Sequence, residues 1–390
     1  MEFSKSERST LGIEWELQLI DIDSRDLRQS ANAVMDAVEQ LNEDTSVIHR
    51  EMLLNTIELV SKPHHTVAGC IADLAHGVEL LRQIVSSQRI ELATSGSHPF
   101  ANPAYQRVTD SHRYAELVNR TQYWGRQMLL FGTHVHVGIE NREKVLPILG
   151  AMVTRFAHIQ ALTASSPFWN GVRTGYADNR AMVFQQLPTA GTPYQFTTWQ
   201  DLERYVSGML KTGVIDAFDE VRWDIRPSPG FGTLEMRMCD AATNLAEVSL
   251  TAALCQCLVE HYSRILDSGE KLPSLPDWFM AENKWRASRY GMDAILILDD
   301  AGNEEHVATT LRHLREELTP VAHDLNCEAE LSILDDVLRF GAPYQRQLQV
   351  ADRFDGSREA VVQYMCAEME AGVPLDPHTF EPDRLGEFGI

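Results

Sequence analysis

The chain has 390 residues and carries 34 Lys plus Arg against 56 Asp plus Glu, a formal net charge of −22. Apolar residues make up 44% and charged residues 23%, an ordinary globular composition able to bury a large core, and one that excludes wholesale disorder. The acidic balance argues against sequence-independent nucleic-acid binding, which needs clustered Lys and Arg, and against docking on anionic membrane.

No stretch reaches the roughly 20 apolar residues of a membrane helix. The opening MEFSKSERST lacks the apolar run of a secretory signal. Six cysteines (Cys70, Cys239, Cys255, Cys257, Cys327 and Cys366) are scattered without a C-x-x-C pair. Reduced, mostly buried thiols in a soluble cytoplasmic protein are expected.

In chain order, the first strong pattern is Leu11 to Ile20. Ile13, Trp15, Leu17 and Leu19 alternate with Glu14, Glu16 and Gln18, the period of a strand with one apolar face. Val34, Val38 and Leu41 suggest a short helix. Residues 47–61 read as extended, as one or two strands, with Glu51 and Glu58 of opposite parity. Helical spacing of Ile71, Leu74, Val78, Leu81 and Ile84 predicts a helix over 68–91, and another is expected over 111–129. Residues 132–139, GTHVHVGI, alternate again, with His134 and His136 opposite Val135, Val137 and Ile139.

A long helix is expected over 144–164, then a loop region over 165–200 rich in Pro, Gly, Thr and aromatics. Its length and its Arg173, Tyr176 and Arg180 suggest a substrate-covering loop. A helix over 201–210 precedes two strands, 221–226 and 233–239, joined by the turn-rich PSPGFG. Helices are then expected over 245–267, 278–288, 306–317, 329–340 and 357–371, with a loosely held tail from Gly372. With several strands joined as hairpins, the fold class is α+β, a largely antiparallel β-sheet with helices packed around it. One unit spanning 1–390 is expected: a motif core at 10–291, a helical part at 292–371 and the tail at 372–390.

The strands share one oddity: their polar faces carry ionisable groups. Glu14 and Glu16, two apart on one face, stand about 7 Å apart. Their repulsion is about 2–3 kcal/mol at an effective dielectric near 20. His134 and His136 repeat the spacing, Glu235 and Arg237 form a third pair, and Glu51, Asn55 and Glu58 lie close together in sequence. A solvated strand face accounts for any one pair; several on one sheet point to a site. Oxygen-rich ligation with an imidazole suits Mg2+ or Mn2+ better than zinc. Arg226 and Arg237 would then steady a transferring phosphoryl group. On the helix over 278–288, Lys284, Arg286 and Arg289 make a basic run, read either as a solvated face or as a contact for anionic substrate. No P-loop, complete dinucleotide fingerprint or nucleophile elbow is present.

Taken in order, TLGIEWEL, HREMLLNTIELV, GTHVHVGI, RPSPGFGTLEMRMCDAATNL and ENKWRASRYG resemble the carboxylate–amine ligase family, the YbdK-like branch of glutamate–cysteine ligases. The resemblance spans about 10–291. It implies a glutamine synthetase-like catalytic fold and an ATP-dependent ligase, in which a carboxylate attacks the γ-phosphate and an amine then displaces phosphate.

By the same resemblance Glu14, Glu16, Glu51, Glu58, His134 and Glu235 look like metal ligands, and Arg226, Arg237 and Glu58 like catalytic groups. Glu51, Asn55, His136, Lys284 and Arg286 look like substrate or nucleotide contacts. Lys284 stands where the family pattern has an Arg. The implied substrates are glutamate as acid and cysteine or another amine, and a homodimer is implied. A divalent-metal amidohydrolase is the competing enzyme class, since H-x-H also occurs on an early strand of (β/α)8 barrels. A nucleotide-binding protein without turnover is the non-catalytic one.

Overall fold

A computed structural model of the chain describes residues 1–110 and 112–383. The alternating first segment forms strand β1 (Leu11–Asp21). The extended region at 47–61 divides into β2 (Ile48–Arg50) and β3 (Thr56–Val60), leaving Glu51 in the connection. Strand β4 (Ile90–Ala93) follows the helix Val67–Ser86, whose predicted end at 91 therefore falls too late. Next come β5 (Gly132–Gly138) and a small hairpin of β6 (Phe168–Trp169) and β7 (Val172–Arg173). The PSPGFG turn joins β8 (Ile225–Ser228) to β9 (Thr233–Asp240), and β10 (Ile295–Ile297) pairs with β11 (Glu304–His306) in a second small hairpin.

The main sheet runs β2-β3-β1-β5-β9-β8, every neighbouring pair antiparallel. β1 is long enough to take β5 along Leu11–Trp15 and β4 along Gln18–Asp21 of the same edge. The α+β class expected from the sequence is the one observed.

One face of this sheet is the core. Ile13, Trp15, Leu17 and Leu19 of β1 are buried with Ile57, Leu59, Val135, Val137, Leu234 and Met236 of its neighbours. Helix Leu245–Asp267 packs on this face against β1 and β5, and against helices Val67–Ser86, Arg142–Val153 and Val307–Leu325. It is buried nearly all round, which suits its continuous apolar sequence. Asn244 starts it, accepting from the Glu247 backbone N–H at 3.0 Å and donating to the Glu247 carboxylate at 2.6 Å.

The long helix predicted over 144–164 breaks into Arg142–Val153 and Phe156–Thr163, bent by 58°. At the break the Thr154 hydroxyl bonds back to the Ala151 carbonyl, a local competitor of the helical ladder. Among the described residues no single helix is long and apolar enough to cross a membrane. All six cysteines are free of disulfides and five are buried.

Other departures come from the second half. The predicted helix over 329–340 divides into Glu328–Ser332 and Leu334–Phe340. Helix Pro343–Arg353 was not anticipated, although Pro343 stands at its first position, where a proline loses no hydrogen bond. Its Arg346 is fully buried and pairs with Glu247 and Glu368, each at 2.7 Å, so one guanidinium ties three helices.

The tail is not loose over its described part. The Tyr364 hydroxyl donates to the Leu375 carbonyl at 2.5 Å, Arg353 donates to the Phe380 carbonyl at 2.8 Å, and the Phe380 ring packs edge-on against Tyr364. Residues 384–390 of the predicted tail lie outside the described residues.

Trp15 is fully buried and donates from its indole N–H to the Ala242 carbonyl at 2.9 Å. Trp15→Ala should destabilise the fold by about 3–5 kcal/mol. Urea and thermal unfolding would read this as a clear drop in midpoint; an unchanged midpoint would contradict the packing of β1.

Candidate active site

The antiparallel register assembles the other face of the sheet. Glu14 lies opposite His134, Glu16 opposite Glu58, and Glu235 between His136 and Arg226. Between Thr133 and Val135, β5 advances two residues while β9 advances three, from Cys239 to Met236. That bulge leaves Arg237 and Met238 together beside His134, a local re-aiming of the strand.

Contacts across the face are close. Glu14 meets His134 Nδ1 through one carboxylate oxygen at 2.9 Å and His136 Nε2 through the other at 3.2 Å. His136 is held from behind by the Thr233 hydroxyl at 2.9 Å. Glu235, 1% exposed, accepts from Arg226 Nε at 2.6 Å and from Arg237 Nη1. Glu16 accepts the Gly132 backbone N–H at 2.7 Å.

These contacts separate the carboxylates into two kinds. Burial would raise Glu14, but hydrogen bonds from His134 and His136 outweigh it and hold the group well below the usual carboxylate range. For Glu235 burial is likewise overcome, by the charges of Arg237 and Arg226, which bring it down to about 2. Glu16 is pushed up to about 8 by burial and then by the charge of Glu51. Glu58 is pushed up to about 10 by burial and by Glu14, Glu16 and Glu51. His134 falls to about 4 through burial and the Arg237 charge, so at neutral pH its ring is neutral and keeps a lone pair.

A cavity of about 660 Å³ opens over this face. Glu14, Glu16, Glu51, Glu58, His134, Arg226 and Arg237 line it. His136 and Glu235 sit just behind that lining, touching Glu14 and the two arginines respectively.

Three of the predicted contacts do not line this cavity. Asn55 is fully buried and supports the strand connection: its side-chain amide donates to Gln106 at 2.7 Å and its backbone carbonyl accepts the Leu19 N–H. Lys284 is buried against Asp224 at 2.6 Å and faces a different hollow. Arg286 is occupied by Glu282 at 2.9 Å and Glu304 at 2.5 Å, away from the cavity. Lys284 and Arg286 are thus paired, with Asp224 and Glu304 supplied from outside this helix.

The structure also adds residues that the sequence reading left out of the site. Arg120, from helix His112–Thr121, and Arg222, before β8, line the cavity. Arg180 had been grouped with Arg173 and Tyr176 in a covering loop, but only Arg180 reaches the site. It is buried, lies 3.4 Å from His134 Nε2 and donates to the Arg237 carbonyl at 3.2 Å. Arg173 pairs with Asp352 at 2.5 Å, and Tyr176 stacks with Arg289.

Asp178 places Arg180 by capping helix Asn179–Phe184 through the Ala181 N–H at 2.7 Å, a D-x-x start readable in the sequence. Gly132 makes room for it, since a Cβ there would stand 2.4 Å from Arg180 Nη2.

Oxygens of Glu14 and Glu235 and a ring nitrogen of His134 lie within 4.8 Å of one another, close enough to share one cation. The elevated Glu16 and Glu58 mark a deficit of positive charge beside them. This donor set fits a hard divalent cation.

The model of glutamate–cysteine ligase family 2 matches residues 10–366. The chain belongs to that family. It is 49% identical over 378 residues to a protein of Arthrobacter sp. (strain FB24) provisionally named glutamate–cysteine ligase 2-1, covering 95% of this chain and 99% of that one. It is 50% identical over 370 residues to one of Mycolicibacterium paratuberculosis provisionally named glutamate–cysteine ligase 2, covering 95% and 97%.

Among solved structures, a glutamate–cysteine ligase of Francisella tularensis in complex with AMP shares the fold, with a TM-score of 0.62 at 13% identity over 96% of this chain and 94% of that one. The resemblance carried by the motifs is therefore borne out, and the protein is a carboxylate–amine ligase of the glutamate–cysteine ligase type. The H-x-H pair of this ligase stands on an antiparallel sheet, which removes the (β/α)8 amidohydrolase reading.

Between about pH 4.5 and pH 10 the cation-free fold binds more protons at Glu16 and Glu58 than the unfolded chain does, so its stability falls as pH rises. A divalent cation takes the ionised carboxylates and displaces those protons. The gain in melting temperature on adding MgCl2 should therefore be larger at about pH 8.5 than at about pH 6.5. A gain that is constant or shrinks with pH would contradict this electrostatic picture.

Proposed function

We propose that this ligase uses ATP to activate the γ-carboxylate of glutamate as an acyl phosphate and joins it to an amine, releasing ADP and phosphate. The observation that carries the reading is Glu235 held by Arg226 and Arg237 beside Glu14 and His134, on a rigid sheet under a cavity rich in further carboxylates. The relatives' name supports glutamate as the acid, and the AMP in the Francisella enzyme supports an adenine nucleotide.

Phosphoryl transfer asks for positioning and charge neutralisation more than for a side-chain nucleophile, and none is needed here. In the first step a glutamate carboxylate oxygen bonds to the γ-phosphorus while the bond to the ADP oxygen breaks. In the second the amine nitrogen bonds to the acyl carbon, the carbon–oxygen bond to phosphate breaks, and the amine loses a proton to a carboxylate of the same face.

Arg226 and Arg237 spread over the transferring oxygens, their planar donors fixed by Glu235. Arg180 orients His134 and screens Glu16. Glu14, His134 and Glu235 would hold one Mg2+ or Mn2+, and Glu16, Glu51 and Glu58 a second. Such ions would supply positive charge against the carboxylates and the phosphates.

With Mg-ATP, glutamate and hydroxylamine, the protein should form γ-glutamyl hydroxamate and ADP in equal amounts. Glu235→Gln should lower that rate by at least about 100-fold, because the two arginines lose the charge that aims them. Circular dichroism would check that the variant stays folded. Hydroxamate production surviving at the original rate in a folded variant would contradict the role given to Glu235.

A further inference from the structure

Two acidic side chains lie behind the site and take no part in the chemistry assigned to it. Asp178, 0% exposed, precedes the helix that carries Arg180, and Asp240, 1% exposed, ends β9. Asp178 accepts the Ala181 N–H through one carboxyl oxygen and the Gln160 amide through the other, each at 2.7 Å. Asp240 accepts the Ser165 N–H at 2.8 Å and the Ser166 hydroxyl at 2.7 Å, both through Oδ2. All four donors are uncharged.

The second oxygen of Asp240, Oδ1, is buried and meets no donor among the described residues. The Asp240 carboxyl is within hydrogen-bonding reach of Asp178. The backbone at Gly96 closes on it, since a Cβ there would stand 2.2 Å from the Asp240 carboxyl carbon. Two ionised carboxylates so placed repel each other and lose their water, whereas an acid beside a carboxylate does neither fully. A protonated carboxyl also becomes a donor, and Oδ1 is the oxygen left to carry it. Burial raises both groups, in line with a retained proton.

The pair reaches the site through the Ser166 hydroxyl. It accepts the Asn179 N–H at 2.9 Å and the Arg180 N–H at 3.1 Å, so its one hydrogen goes to Asp240. Asp178 thus holds the start of helix Asn179–Phe184 through Ala181, and Asp240 holds it through Ser166. Arg180 then meets His134 Nε2 at 3.4 Å and the Arg237 carbonyl at 3.2 Å. Arg180 is the charged neighbour of the pair, and the buried Cys239 thiol is the titratable one. Helices Phe156–Thr163 and Pro343–Arg353 contribute the uncharged Gln160 and Gln347.

We propose that Asp178 and Asp240 share one proton, held on Asp240 Oδ1, and that this buried acid pair is a positioning device for the reaction, fixing Arg180 and through it His134. The positioning half rests on the ligase reading. The proton stays on the pair throughout turnover.

Asp240→Asn tests the proton. Its carbonyl oxygen would keep the Ser165 and Ser166 contacts, and its amide would supply permanently the donor assigned to Oδ1. Between about pH 5 and pH 7 the folded pair keeps a proton that the unfolded chain has lost, so this contribution to stability falls as pH rises. The unfolding equilibrium constant of the unmodified protein should therefore rise about 10-fold per pH unit relative to that of Asp240→Asn. Urea unfolding at a series of pH values reads the ratio, in which the titration of Glu16 and Glu58 is common to both proteins. A ratio independent of pH would overturn the shared proton.

The hydroxamate assay tests the positioning. Asp240→Ala should lower kcat by at least about 10-fold, because a small displacement of Arg180 suffices, and leave KM for ATP and for glutamate within about 3-fold. Asp240→Asn should restore kcat to within about 3-fold of the unmodified protein. An unchanged kcat in Asp240→Ala, or a loss in Asp240→Asn of about 10-fold or more, would overturn the positioning role. The second criterion stands if the alanine variant does not fold. Absence of hydroxamate from the unmodified protein would remove the ligase reading and the positioning role together, while the pH ratio would still judge the shared proton.

Discussion

Four carboxylates on one face of a single sheet and a fifth, Glu51, from the connection beside it crowd together, and the structure around them is organised to tolerate that repulsion. Two unit charges about 4 Å apart cost on the order of 4 kcal/mol even at an effective dielectric of 20. Glu14 and Glu235 stay ionised because they are paired, the first with His134 and His136, the second with Arg226 and Arg237. Among the described residues Glu16 and Glu58 form no ion pair at such distances, and they respond by holding protons. Part of the charge on this face is therefore balanced by protein groups and part by protons.

The rest of the fold keeps this arrangement rigid. Register cannot slip, because each strand that offers Glu or His to the cavity offers Trp15, Val135 or Met236 to the core on the other side. Behind the site, Asp240 accepts the Ser165 N–H at 2.8 Å and the Ser166 hydroxyl at 2.7 Å, and burial together with the charge of Asp178 raises it well above the usual range. Asp178 in turn caps the helix that carries Arg180. A short chain of buried polar contacts thus runs from the end of β9 to the guanidinium beside His134.

What could be read beforehand follows from period. β1, β5 and β9 alternate cleanly, so their polar residues Glu14, Glu16, His134, His136, Glu235 and Arg237 were recognisable one strand at a time. Their meeting was not, because strand order and register depend on pairing between segments far apart in sequence. Arg120 and Arg222 come from a helix and a connection, where no alternation marks a side that faces the site. Lys284 and Arg286 lie outside the cavity lining for the converse reason: a basic run is visible locally, but the Asp224 and Glu304 that pair with it are supplied from elsewhere. β4 and helix Pro343–Arg353 escaped because four residues are too few for a period, and because the helix buries the polar Arg346 and Gln347 among its core-facing residues, which hides the apolar period.

The central claim is that this charge-balanced sheet face transfers the γ-phosphoryl group of ATP to a carboxylate. The most direct measurement follows oxygen. Glutamate labelled with 18O in its γ-carboxylate should, during amide formation, pass one labelled oxygen to inorganic phosphate, visible as an isotope shift in the phosphorus spectrum. Phosphate free of label, or label appearing in AMP, would contradict the acyl-phosphate account.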